Sequence, residues 1–166
     1  MNKKILFVDD DINVLNGYKR TYRKKYNLTT AISGQEGLRQ LKQAKEDFAV
    51  IISDIKMPAM NGIEFLSKVK DLAPDSVRII LTGNADLTLA KNAVNDGKIF
   101  QILKKPCKQD RFVKVVEEAI ELHRILKSKQ TLSEKILCEN SSRFIKTDWH
   151  CQSQKVFPDN PVNADH

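Results

Sequence analysis

Carboxylates, a hydroxyl and an ammonium group recur in this sequence at one kind of place, directly after a short apolar run. Asp9, Asp10 and Asp11 follow ILFV, Asp54 follows AVIIS, Thr82 follows RIIL, and Lys105 follows IFQILK. If those runs are strands of one parallel sheet, the four signals share its carboxyl edge, where open α/β sheets bind ligands. Several carboxylates held together repel one another, so a proton or a cation must accompany them. A hard divalent ion such as Mg²⁺ suits them, since it accepts one or two carboxylates together with phosphate oxygens. A lysine and a threonine hydroxyl on the same edge supply a charge and a hydrogen bond to a phosphoryl group. The set describes phosphoryl transfer to an aspartate acting as nucleophile.

The elements that must position these groups are legible as a βα alternation. Residues 4–8, 28–32, 49–53, 77–81 and 99–103 are short apolar or β-prone runs, separated by segments of helical spacing. Gly34, Gly62, Gly83 and Gly97, with Pro58, Pro74 and Pro106, punctuate the junctions. Parallel strands need long crossovers, so the alternation predicts a mostly parallel sheet with helices on both faces. A fifth helix is expected from about Asp110 through Phe112, Val113, Val116, Ile120 and Leu126, continuing weakly through Leu132 and Ile136. Residues 139–166 hold Ser141, Ser142, Pro158 and Pro161 and no periodic apolar face, and are read as a poorly ordered tail.

With 166 residues, the chain has room for one domain and an appendage. No apolar run is long enough to span a bilayer, and MNKKILFVDDD reaches acids too soon for a signal segment, so a cytoplasmic protein without a membrane partner is expected. Cys107, Cys138 and Cys151 have no framework spacing and are read as thiols. His150, Cys151, Cys138 and His166 match no structural zinc pattern, and Trp149 lacks an apolar frame. The net charge of +7 raises a nucleic-acid reading. The basic cluster Lys19, Arg20, Arg23, Lys24 and Lys25, however, falls opposite the apolar positions Ile12, Leu15, Tyr18 and Tyr22 of a helix, where a solvated face is expected. Residues 129–166 carry as many acids as bases and no second helix pair with a glycine turn, so no direct nucleic-acid contact is expected.

From Lys3 to about Lys127 the chain resembles the receiver domain of two-component response regulators, through Asp9-Asp10, the run DIKMPAMNG from Asp54, Thr82-Gly83 and Lys105-Pro106. The resemblance implies a flavodoxin-like, doubly wound five-stranded sheet of order 2-1-3-4-5. It also implies phosphorylation of Asp54 by a histidine kinase or phosphotransfer protein, and a switch in binding to an output partner that the sequence does not identify. Asp9, Asp10, Asp54 and the backbone carbonyl of Lys56 would hold Mg²⁺. Thr82 would move to the phosphoryl group, Lys105 would pair with it, and Pro106 would fix a tight loop, with a cis bond open to it. Met57, Pro58 and Gly62 would form the turn into the third helix, Asp11 would cap the first, and Lys104, one residue out of parity, would face solvent.

Receivers often carry an aromatic ring at the position of Ile102; Phe100, on the same side by period two, is the candidate substitute. The segment LTGNADLTLAKNAVNDGKIFQILKKPC is further similar to receivers attached to cyclic dinucleotide phosphodiesterase outputs; the remaining residues hold no paired His-Asp metal motif, so a stand-alone or truncated receiver is expected. The division implied is a receiver over 1–128 and an extension over 129–166, in which Leu132, Ile136 and Leu137 could support a homodimer. The expected role is a phosphoacceptor in signalling, not an enzyme acting on other substrates. The rival is a haloacid-dehalogenase-like phosphatase with Asp9 as nucleophile. It fits Asp9-Asp10-Asp11 and RIILT, but lacks the acidic pair that family places after its lysine.

Overall fold

The computed structural model describes residues 3–83, 87–95 and 99–148. The expectations for Gly97, Trp149, His150, Cys151, Pro158, Pro161 and His166 lie outside the described residues, as does the side chain of Cys138. Five strands alternate with five helices: β1 Lys4–Val8, α1 Ile12–Tyr22, β2 Asn27–Ala31, α2 Gly34–Gln43, β3 Val50–Asp54, α3 Gly62–Leu72, β4 Val77–Thr82, α4 Leu87–Asn95, β5 Gln101–Lys104 and α5 Gln109–Asp148. The sheet order is β2-β1-β3-β4-β5, with every pairing parallel. This is the doubly wound order expected, and it places β1 and β3, which end in Asp9 and Asp54, side by side.

Period-two alternation divides the strand side chains between two apolar layers. Ile5, Phe7, Val50, Ile52, Ile79 and Leu81 pack with Leu15 and Tyr22 of α1 and Phe112, Val116 and Ile120 of α5. Leu6, Val8, Ile51 and Ile80 pack with Phe65, Leu66 and Val69 of α3 and Ala90 of α4, with Leu38 and Leu41 of α2 alongside. Side-chain oxygens satisfy the first amides of three helices: Asp11 accepts from Asn13 N–H, Ser33 from Glu36 N–H and Asn61 from Glu64 N–H. Glu36 reaches back to accept from Ile32 N–H at 2.9 Å, satisfying the amide just before the Ser33 cap.

Lys19, Arg20, Arg23, Lys24 and Lys25 are exposed as expected, but only Lys19 and Arg20 lie on α1; Arg23, Lys24 and Lys25 fall in the turn after it, because the helix ends at Tyr22. Ile12, expected on the apolar side, is 51% exposed because it is the first residue of α1 and overhangs the core. Met1–Lys127 forms one compact unit and Ser128–His166 a second. Helix continues to Asp148 although the apolar period fades after Leu137. This corrects the reading of 139–148 as tail. No Gly or Pro interrupts Gln109–Asp148, so nothing in that stretch terminates the helix.

Candidate functional site

The carboxyl ends of β1, β3, β4 and β5 deliver the site. Asp9, one residue past β1, is 1% exposed, Asp54 at the end of β3 is 9% exposed, and Thr82 at the end of β4 is 1% exposed. Two carboxylates removed from water need a cation, and Lys105 provides it. Its Nζ lies 2.7 Å from Asp9 Oδ2 and 2.9 Å from Asp54 Oδ1. Burial alone would lower the Lys105 pKa, but the hydrogen bonds and charges of the two aspartates outweigh it and hold the ammonium above its ordinary value. Lys104 is exposed, so the parity argument separated the two lysines.

Backbone amides occupy the remaining carboxylate oxygens. Asp11 N–H donates to Asp9 Oδ1 at 3.0 Å, and Lys56 N–H donates to Asp54 Oδ2 at 3.1 Å. Asp9, Asp10 and Asp54 each bring an oxygen within 4.8 Å of the others, with Asp10 exposed. Among the described residues this is the one such grouping of His, Cys, Asp and Glu. Its all-oxygen donor set, already balanced by one cation, suits a hard divalent ion. The Thr82 hydroxyl donates to Gly83 O at 3.2 Å, and Lys105 N–H donates to Thr82 O at 2.7 Å, tying the threonine strand to the lysine loop. The Lys105–Pro106 peptide is cis.

Two features were not visible as site features in the sequence. The amides of Asp11 and Lys56 act through their backbone, which residue type does not reveal. Gly62, expected only as a turn residue, donates its N–H to Ile55 O at 2.9 Å, and a β-carbon there would overlap the carbonyl oxygen of Asp54. The sole signal was a glycine directly after the capping Asn61.

Phe100 does not substitute for an aromatic at Ile102. Its N–H donates to Arg78 O at 2.7 Å, which sets it level with Arg78, at the amino end of β5. Arg78 is four residues before Thr82, about 13 Å at roughly 3.3 Å per residue. There the ring lines a hollow with Leu122 and Leu126. Ile102 packs instead with the cluster of Phe65, Leu66 and Ala90, so period two did not carry over to Phe100, which precedes β5.

Fold and site define a parallel α/β domain that presents an acid cluster and a bridging lysine on its carboxyl edge. The model of the response regulator receiver domain matches residues 5–117. The hydrogenase transcriptional regulatory protein HoxA of Bradyrhizobium diazoefficiens is 30% identical over 127 residues, covering 76% of this chain and 26% of that protein. A crystal structure of adenylate cyclase from Rhodopirellula baltica superposes with a TM-score of 0.79 at 39% identity, covering 81% of this chain and 99% of that one. A receiver domain protein from Clostridium thermocellum gives a TM-score of 0.69 at 33% identity, covering 74% and 98%. The chain belongs to the response regulator receiver domain family, whose members are signalling proteins. It spans about a quarter of the length of the curated relatives it matches, 26% for HoxA.

Nothing in these comparisons favours the phosphatase alternative. Among the described residues no helix is long and apolar enough to cross a membrane.

Proposed function

We propose that the chain is a phosphoacceptor switch in which Asp54 takes a phosphoryl group from the phosphohistidine of a histidine kinase or phosphotransfer protein. The observation that carries this reading is the Lys105 bridge between Asp9 and Asp54, which holds a fixed positive charge 2.9 Å from the acceptor carboxylate. In the transfer, an Asp54 oxygen attacks phosphorus, the phosphorus–nitrogen bond breaks, and the imidazole nitrogen keeps the electron pair. Lys56 N–H holds one Asp54 oxygen by hydrogen bond and so orients the carboxylate. Asp9, Asp10, Asp54 and the Lys56 carbonyl would hold Mg²⁺. When bound, the ion neutralises charge developing on the transferred group. Lys105 then exchanges a carboxylate for a phosphoryl oxygen, and the Thr82 hydroxyl exchanges the Gly83 carbonyl for another. Those exchanges are differential contacts of the kind a population shift requires.

On this reading the chain catalyses only its own phosphorylation and dephosphorylation in the cytoplasm, with a receiver over residues 1–128. The extension from 129 serves an output partner or a homodimer, and exposed Leu132 and Ile136 support such a contact. Incubation with a generic phosphomonoester tests the class. Labelling of one aspartate without steady turnover is expected; sustained hydrolysis would return the phosphatase reading.

A further inference from the structure

The amino edge of the sheet, opposite the acid cluster, carries a feature that phosphoryl transfer does not use. An open cavity of about 790 Å³ lies there, lined by Lys3, Lys4, Lys45, Lys127, Asn27, His123, Glu46 and Asp47. It therefore gathers four lysines against two carboxylates. Lys127 is shared between Asp47 at 2.6 Å and Asp75 at 3.2 Å, and Lys4 Nζ donates to Glu46 O at 3.1 Å beside the Phe48 ring. Lys4 and Lys127 are thus engaged by the chain's own groups.

His123 also lines this cavity. It is 5% exposed, and its Nδ1 lies 2.8 Å from the carbonyl oxygen of Asp75. A carbonyl only accepts, so Nδ1 carries hydrogen and donates. The remaining ring nitrogen, Nε2, is the group left for a ligand in the cavity that His123 lines. A buried imidazole anchored through Nδ1 and set among lysines suits an anion that can share a proton with Nε2 while its other oxygens meet ammonium groups. Phosphate groups have that property, since their second proton titrates near pH 6.

We propose that this cavity is a phosphate-binding site, for inorganic phosphates or a nucleoside phosphate, separate from the Asp54 centre. Strand length places the two roughly 16 Å apart, at about 3.3 Å per residue along β1. The site does not depend on phosphorylation of Asp54.

The test is an NMR titration of the full chain, without divalent metal and at fixed ionic strength, using pyrophosphate in one arm and AMP in the other. Saturable shifts are expected at the His123 ring and at the Lys3 and Lys45 amides. Affinity should fall at least tenfold in His123→Asn, which keeps a donor for the Asp75 carbonyl but lacks Nε2, and in Lys45→Ala, an exposed position. Tighter binding of AMP identifies a nucleoside phosphate as the ligand, and tighter binding of pyrophosphate an inorganic one. Shifts that do not saturate, that sodium chloride reproduces, or that survive in Lys45→Ala would overturn the proposal.

Discussion

Gly62 packs its α-carbon directly against the main-chain carbonyl of Asp54, leaving no room for a β-carbon. Asp54, the proposed acceptor, and the first residue of α3 are thereby fixed to one another, and the Gly62 N–H bond to Ile55 O closes the same turn. Gly62→Ala must push β3 and α3 apart. A loss of about 1–3 kcal/mol is expected in chemical denaturation, with slower labelling of Asp54 because its carboxylate is displaced. Unchanged stability and labelling would show that the turn relaxes freely.

On the proposed reading, Lys105 and Thr82 act mainly after the phosphoryl group arrives. Lys105→Ala leaves Asp9 and Asp54 close together without their bridging cation, at a cost of about 1–3 kcal/mol. Lys105→Ala and Thr82→Ala should both still accept phosphate from a small donor. Neither should show the phosphorylation-dependent chemical shifts of wild type over α4, β5 and the start of α5. Normal shifts in both variants would remove the proposed switch.

The aromatic packing between α1 and α5 gives the protein a defined alkaline limit. Burial, then the hydrogen bond Tyr26 donates to Glu117 at 3.0 Å, raises the Tyr26 pKa well above the ordinary 10.0. Burial does the same for Tyr18. Because the folded values are raised, this stabilisation is fully present below pH 10 and is lost as pH rises through the folded values. Stability should be flat in this respect from pH 7 to 9 and fall above about 10. Tyr26→Phe should cost about 1 kcal/mol at pH 7 and reduce the alkaline slope. An unchanged slope would remove Tyr26 from the account.

Gly17 is the opposite case to Gly62. It lies within α1, and a β-carbon there meets nothing within 4 Å. Gly17→Ala should raise stability by roughly 0.5–1 kcal/mol through helix propensity alone, read as a higher denaturation midpoint at unchanged slope. A loss would mean that α1 is packed more tightly there than its surroundings indicate.

The strands and the acid edge were legible because each run is apolar, short and followed by its functional group. Asp9, Asp54, Thr82 and Lys105 could be placed on one edge from that pattern alone. What escaped depends on distance and on backbone. Period two does not hold for Phe100, which precedes β5, and residue type cannot show that the Lys56 and Asp11 amides bind carboxylates. The length of α5 was missed because a fading apolar face was taken as an ending, whereas the stretch to Asp148 holds no Gly or Pro to break the helix. His123 carries no distinguishing spacing in the sequence; only the Asp75 carbonyl beside its Nδ1 separates its two nitrogens.

The central claim is that Asp54 is the phosphoacceptor, served by Asp9, Asp10 and Lys105. Intact-mass measurement after incubation with acetyl phosphate and Mg²⁺ tests it most directly, on the wild type and on Asp54→Asn. The account predicts one phosphoryl group on the wild type and none on Asp54→Asn, with labelling slowed strongly in Asp9→Ala and Asp10→Ala. The same stoichiometry on Asp54→Asn as on the wild type would contradict it.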